Sequence, residues 1–114
     1  MIPVTRPTLP ELKKYLQYLE RIWQTKWVTN NGDFAVLLEQ KLKDYLKVEN
    51  IVLVSNGTMA LQLALKAFSL SGEVITTPFT FVATTNAVRW EGLTPVFADI
   101  DPDTFNIDPK DVEN

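Results

Sequence analysis

The chain has 114 residues, 46% of them hydrophobic and 22% charged, the balance of a packed soluble domain and not of a disordered tail. It contains no cysteine and no histidine, which excludes disulfides, thiolate nucleophiles, Ser-His-Asp and Cys-His triads, and metals held by those residues. Eleven basic against fourteen acidic residues leave a net charge of −3 with no long basic run, so a broad basic face for nucleic acid is not expected.

The N-terminus, Met1 to Arg6, lacks a basic region followed by an apolar stretch, and no apolar run approaches the roughly 20 residues of a membrane span. A cytoplasmic protein with neither nucleic-acid nor membrane partners is the expectation. The series Thr8-Leu9-Pro10-Glu11 has the form of a capping box with proline in the first turn, and Leu12, Tyr15, Leu16, Leu19, Ile22 and Trp23 follow at helical spacing. The aperiodic stretch from Gln24 to Asp33 reads as a loop, with Asn31 or Asp33 capping a second helix through Phe34, Leu37, Leu38, Leu42, Tyr45 and Leu46. Together they form two leading helices within residues 8–47.

Ile51 to Val54 is a short β-branched run without polar alternation, which suits a strand buried on both faces of a parallel sheet. After the turn Ser55-Asn56-Gly57-Thr58, a helical stripe runs through Leu61, Ala64, Leu65 and Phe68 towards Gly72. Val74 to Thr77 reads as a second strand, Thr80 is placed to cap a helix ending at Trp90 and Gly92, and Pro95 to Ala98 reads as a third strand. The resulting β-α-β-α-β order over 51–99 predicts a three-layer α/β arrangement with a parallel sheet, in one undivided domain.

Three places invite chemistry. The turn from Ser55 to Met59 joins a predicted strand to a helix N-terminus, where free backbone N–H groups and the helix dipole favour an anion and Gly57 presents no Cβ. Its first four residues, Ser55 to Thr58, also make an ordinary capped turn. They match neither a P-loop nor a dinucleotide fingerprint, which disfavours a nicotinamide-binding domain. Phe79 and Phe81 follow the second strand on the same sheet edge; one can pack internally while the other lies flat on a planar ligand, although aromatic residues more commonly serve the core. Asp99, Asp101 and Asp103 allow a cation site, but their alternation with Ile100 and Pro102 fits a solvated turn better.

These segments, with the opening Ile2 to Pro7, the loop Trp27 to Gly32, the stretch Glu73 to Thr84 and the end Thr94 to Asp108, resemble in order the N-terminal part of the DegT-type (DegT/DnrJ/StrS) sugar aminotransferases. The resemblance implies a partial large domain of the aspartate-aminotransferase (type I) fold, pyridoxal 5′-phosphate as cofactor, and transfer of an amino group from an amino acid, usually glutamate, to a nucleotide-linked keto-sugar. It further implies that Gly57, Thr58 and the Met59 amide bind the cofactor phosphate, that Phe81 stacks on the pyridine ring, that Thr29 approaches substrate, and that the protein is a homodimer. The family's cofactor-linking lysine and the aspartate that pairs with the pyridine nitrogen have no counterpart among these residues. The chain therefore reads as a fragment, inactive by itself, and no catalytic residue or metal ligand is assigned. A non-catalytic module binding a phosphate ligand or a partner chain is the alternative. Trp23, Trp27 and Trp90 either complete the chain's own core or mark a contact surface.

Overall fold

Helix α1 (Leu12–Thr25) and helix α2 (Asp33–Leu46) precede helix α3 (Gly57–Ala67), strand β1 (Glu73–Thr76), helix α4 (Ala83–Trp90), strand β2 (Thr94–Phe97) and a final short helix α5 (Pro109–Val112). The computed structural model describes residue 2 and residues 5–113; Pro3 and Val4 of the opening block lie outside the described residues. The chain divides after Leu53 into two compact units.

In the first unit α1 starts later than its sequence signals suggest. Glu11, expected inside the first turn, has extended backbone (ψ 124°) and serves as the N-cap through its carbonyl, with no side-chain cap. The turn from Thr8 does not wind because Leu9 is exposed, so no burial offsets the cost of ordering it. At the other end, Gly32 caps α2 and its carbonyl accepts from the Ala35 and Val36 N–H groups. Asp33, one of the two expected caps, is instead the first helical residue. There its charge suits the helix dipole and accepts from Arg21 Nη2 at 3.1 Å. The same guanidinium lies over the Phe34 ring, which Tyr18 meets edge-on at 5.1 Å between centroids, and these contacts join α1 to α2.

The second unit is built on β1 and β2, which pair in parallel from Glu73 opposite Thr94 to Thr76 opposite Phe97. Helix α4 packs on both strands and α3 packs on α4. The core consists of Ala87 and Val88 on α4 with Leu93 and Ala98 flanking β2. Gly92, at φ +77°, ends α4 in a Schellman arrangement: its N–H donates to the Arg89 carbonyl, and that of Leu93 donates to Val88. The hydrophobic pair that accompanies this cap, Val88 and Leu93, supplies half of the buried core.

Two expected features of the chain beyond α2 differ. Residues 51–54 form no strand, and Val52 is 78% exposed. A β-branched run favours extended backbone, but a strand also requires a neighbour for its N–H and C=O groups, and no described residue provides one. Thr80 does not cap α4 either. Val82 occupies the cap position, while the Thr80 and Thr84 hydroxyls lie 3.3 Å apart.

The aspartate-rich end is a turn, as its sequence indicates. Asp101 Oδ1 accepts from the N–H groups of Asp103 and Thr104 at 3.0 and 2.8 Å, Ile100 bridges Ile107, and the Asp108 N–H donates to the Asp99 carbonyl. Asp108 caps α5 through the Lys110 N–H. Among the described residues no acidic group forms a metal-binding cluster. The hydrogen bonds from Thr104 and Asp103 hold the Asp101 carboxyl below its ordinary 3.8, because they stabilise the charged form. Its contribution to the turn is therefore complete above that value and is lost as pH falls through the lowered one. The Asp103 and Thr104 amide resonances are expected to titrate together with a midpoint below 3.8; a midpoint at or above it would contradict the assignment.

Candidate cofactor site

Helix α3 begins where the chain leaves the turn at Ser55 and Asn56. Asn56 has extended backbone, and its Oδ1 accepts from the Met59 N–H at 2.9 Å, while its Nδ2 donates to Ser55 Oγ at 3.2 Å. Asparagine is among the preferred residues at this position because its side chain satisfies a donor that the helix leaves open. The consequence for the expected phosphate site is specific. The Met59 amide is already engaged, so the three expected donors reduce to two, the N–H groups of Gly57 and Thr58, which have no acceptor among the described residues. Asn56 is thus the N-cap of α3, a role that an asparagine directly ahead of a helical stripe signals.

Space and polarity agree at this helix end. A Cβ built on Gly57 meets nothing within 4 Å, and the residue is not in the positive-φ region, so the glycine answers no internal packing or backbone demand. An open, cationic helix terminus approached over a residue without a side chain fits a phosphate. Thr58 adds a hydroxyl. The residues present fit the phosphate end of pyridoxal phosphate.

Short connections return α3 and α4 to the starts of β1 and β2, where the Thr94 N–H donates to the Gly72 carbonyl. Helix α4, which joins the two parallel strands, runs back along them, so its N-terminus lies at the sheet's carboxyl edge with the loop 77–82, and α3 packs on α4. The two aromatics of that loop separate in role. Phe79 stacks on Phe105, with centroids 5.8 Å apart and planes 25° from parallel. Phe81 is 79% exposed and has no ring partner among the described residues, leaving it available to a planar ligand.

Thr29 belongs to the first unit, in the loop between α1 and α2. That loop is shaped by the Trp27 indole N–H, which donates to the Asn30 carbonyl at 3.0 Å, and Thr29 lines an open depression of about 320 Å³ with Trp27, Gly32 and Phe34. Trp23, Trp27 and Trp90 are all exposed, so none completes a core among the described residues.

The sequence pattern of the DegT/DnrJ/EryC1/StrS aminotransferase family matches residues 11–114. The chain belongs to that family. It is 55% identical over 112 residues to an Escherichia coli dTDP-4-amino-4,6-dideoxy-D-glucose transaminase, covering 98% of this chain and 30% of that enzyme. Among solved structures, DesI in the presence of its TDP-sugar product superposes with a TM-score of 0.84 at 42% identity, over 95% of this chain and 28% of the other. NtdA from Bacillus subtilis with bound cofactor PMP gives a TM-score of 0.84 at 35% identity, over 90% of this chain and 24% of the other. The family member described here thus spans about 30% of the length of its relatives and shares the α/β type I fold of the aminotransferases over that span.

Proposed function

We propose that the protein is a pyridoxal-phosphate-dependent aminotransferase that transfers an amino group from glutamate to the keto group of a nucleotide-linked sugar, and that these residues are the N-terminal portion of its large domain. The reading is supported chiefly by the α3 terminus, where two amides with no acceptor among the described residues meet open space over Gly57. When bound, the cofactor supplies an electron sink for the bonds around the amino-bearing carbon. The chain's own residues hold it: Gly57 and Thr58 take the phosphate through backbone N–H groups and the Thr58 hydroxyl, Asn56 keeps the first turn wound, and Phe81 offers an apolar face to the ring. Thr29 serves the substrate. The lysine that links the cofactor and moves protons lies outside these 114 residues in this reading.

A homodimer in the cytoplasm completes the proposal. Its support is the apolar surface left open, with Trp23, Trp90 and Phe97 all exposed. No helix among the described residues is long and apolar enough to cross a membrane.

The test is an assay of the protein expressed from its complete reading frame with glutamate and a panel of nucleotide-linked keto-sugars, beginning with dTDP-linked ones because of the Escherichia coli relative. Amino-sugar and 2-oxoglutarate should form in equal amounts, dependent on added pyridoxal phosphate. Tight cofactor binding without turnover of any nucleotide sugar would reject the substrate class. Absence of cofactor binding would reject the whole reading.

A further inference from the structure

Phe105 has φ +60°, in the left-handed region that a bulky side chain rarely adopts. Glycine or asparagine would take this conformation at less cost, so the phenylalanine requires a reason. Burial is not that reason, because the residue is 62% exposed. The surrounding turn over-determines its backbone: the Phe105 N–H donates to the Asp101 carbonyl and the Asp101 N–H to that of Asn106, both at 2.8 Å, while Asp101 Oδ1 holds the two intervening amides. What this conformation achieves is the stacked contact with Phe79, the one aromatic pair among the described residues of the second unit.

That contact joins the loop after β2 to the loop after β1, which are neighbours because the strands are adjacent and parallel. The β1 loop has internal ties of its own. The Phe79 N–H donates to Thr77 Oγ1 at 3.1 Å, and the Thr84 N–H donates to the Phe81 carbonyl at 3.0 Å. Between these ties lies the segment that presents Phe81, and the ring of Phe105 braces it from outside.

We propose that Phe105 is a positioning residue for the cofactor ring: through Phe79 it sets the loop that presents Phe81. The proposal rests on the reading of Phe81 as the ring's platform. Phe105 touches neither ring nor phosphate in this scheme, so its loss weakens recognition of the pyridine ring and leaves recognition of phosphate intact.

The experiment uses the protein expressed from its complete reading frame and compares wild type with F105G, F105Y, F79L and F81A. Glycine accepts the positive φ, so F105G removes the ring while relieving the backbone. Its affinity for pyridoxal phosphate should fall about three- to tenfold, with a reduced visible circular-dichroism band of the bound cofactor. Its affinity for inorganic phosphate, read by competition, should stay within about twofold of wild type, because no hydrogen-bond donor to the phosphate is touched. F79L, which breaks the stack from the other side with the Phe105 backbone untouched, should reproduce this pattern, and F105Y should retain wild-type behaviour. In the F81A background F105G should have no further effect on cofactor affinity, since the braced platform is gone.

Three outcomes would overturn the proposal: wild-type cofactor affinity and dichroism in both F105G and F79L, equal loss of cofactor and inorganic phosphate binding, or full additivity of F105G with F81A. Wild-type protein that binds no pyridoxal phosphate would instead reject the proposed function, and this proposal with it.

Discussion

Replacing Gly57 with valine is expected to abolish tight cofactor binding while leaving the stability of the cofactor-free protein unchanged or slightly raised. The two effects separate because of what surrounds the residue. Its Cβ position meets nothing within 4 Å and its φ is not positive, so a side chain costs neither packing nor backbone strain. In a helical position loss of glycine is favourable, by up to about 1 kcal/mol for alanine and less for a β-branched residue. The same side chain fills the space through which a phosphate reaches the Gly57 and Thr58 amides. Each hydrogen bond to a charged group contributes about 1.5–3 kcal/mol, so losing both weakens binding by roughly two to four orders of magnitude. Spectroscopic titration with pyridoxal phosphate and thermal melts of the cofactor-free protein measure the two effects. Unchanged affinity removes the phosphate assignment, and a markedly lowered melting temperature contradicts the open space. Thr58→Val, which spares the backbone donors, should cost less, about 1–3 kcal/mol of binding.

The second large effect is an absence. The 114-residue chain, treated with pyridoxal phosphate and then borohydride, is expected to show scattered, substoichiometric labelling of its eight lysines and no aminotransferase activity. A lysine becomes a specific amine nucleophile at neutral pH when burial or a neighbouring cation favours its neutral form. None of the eight is buried. Lys66, on the helix whose N-terminus is the proposed phosphate site, lies nine residues beyond Gly57, roughly 13 Å along the axis, and its ammonium is 3.7 Å from Glu91. Peptide mapping after reduction decides the question, and one lysine modified to completion would show that the chain holds a reactive amine of its own.

Much of the candidate site could be proposed from the sequence because its signals are local. Gly57 at a turn-to-helix junction already indicated an anion site, and the structure adds only that the glycine's space is open. Asn56 is different: its helix-capping bond was accessible from its position, yet its effect on Met59 depends on the side-chain oxygen reaching that amide instead of pointing to solvent. The motif points to this helix end as a candidate anion site but does not reveal how many of its donors are already engaged.

What the sequence by itself determined is whatever is decided within a few residues along the chain. The apolar stripes of α1 to α3 declare themselves through periodicity, β1 and β2 through short apolar and β-branched runs, and Gly92 through the local cost of a left-handed conformation. The tertiary structure alone decided what depends on distant partners. Residues 51–54 have strand composition but no neighbour among the described residues to complete a ladder, so they remain irregular. Phe79 and Phe81 stand two positions apart in one loop with the same side chain, yet one is stacked and the other open, because Phe105 arrives from another strand's end. Hydrogen-bond pairing and burial are properties of pairs of segments, and residue type at one position does not specify which segment will come to meet it.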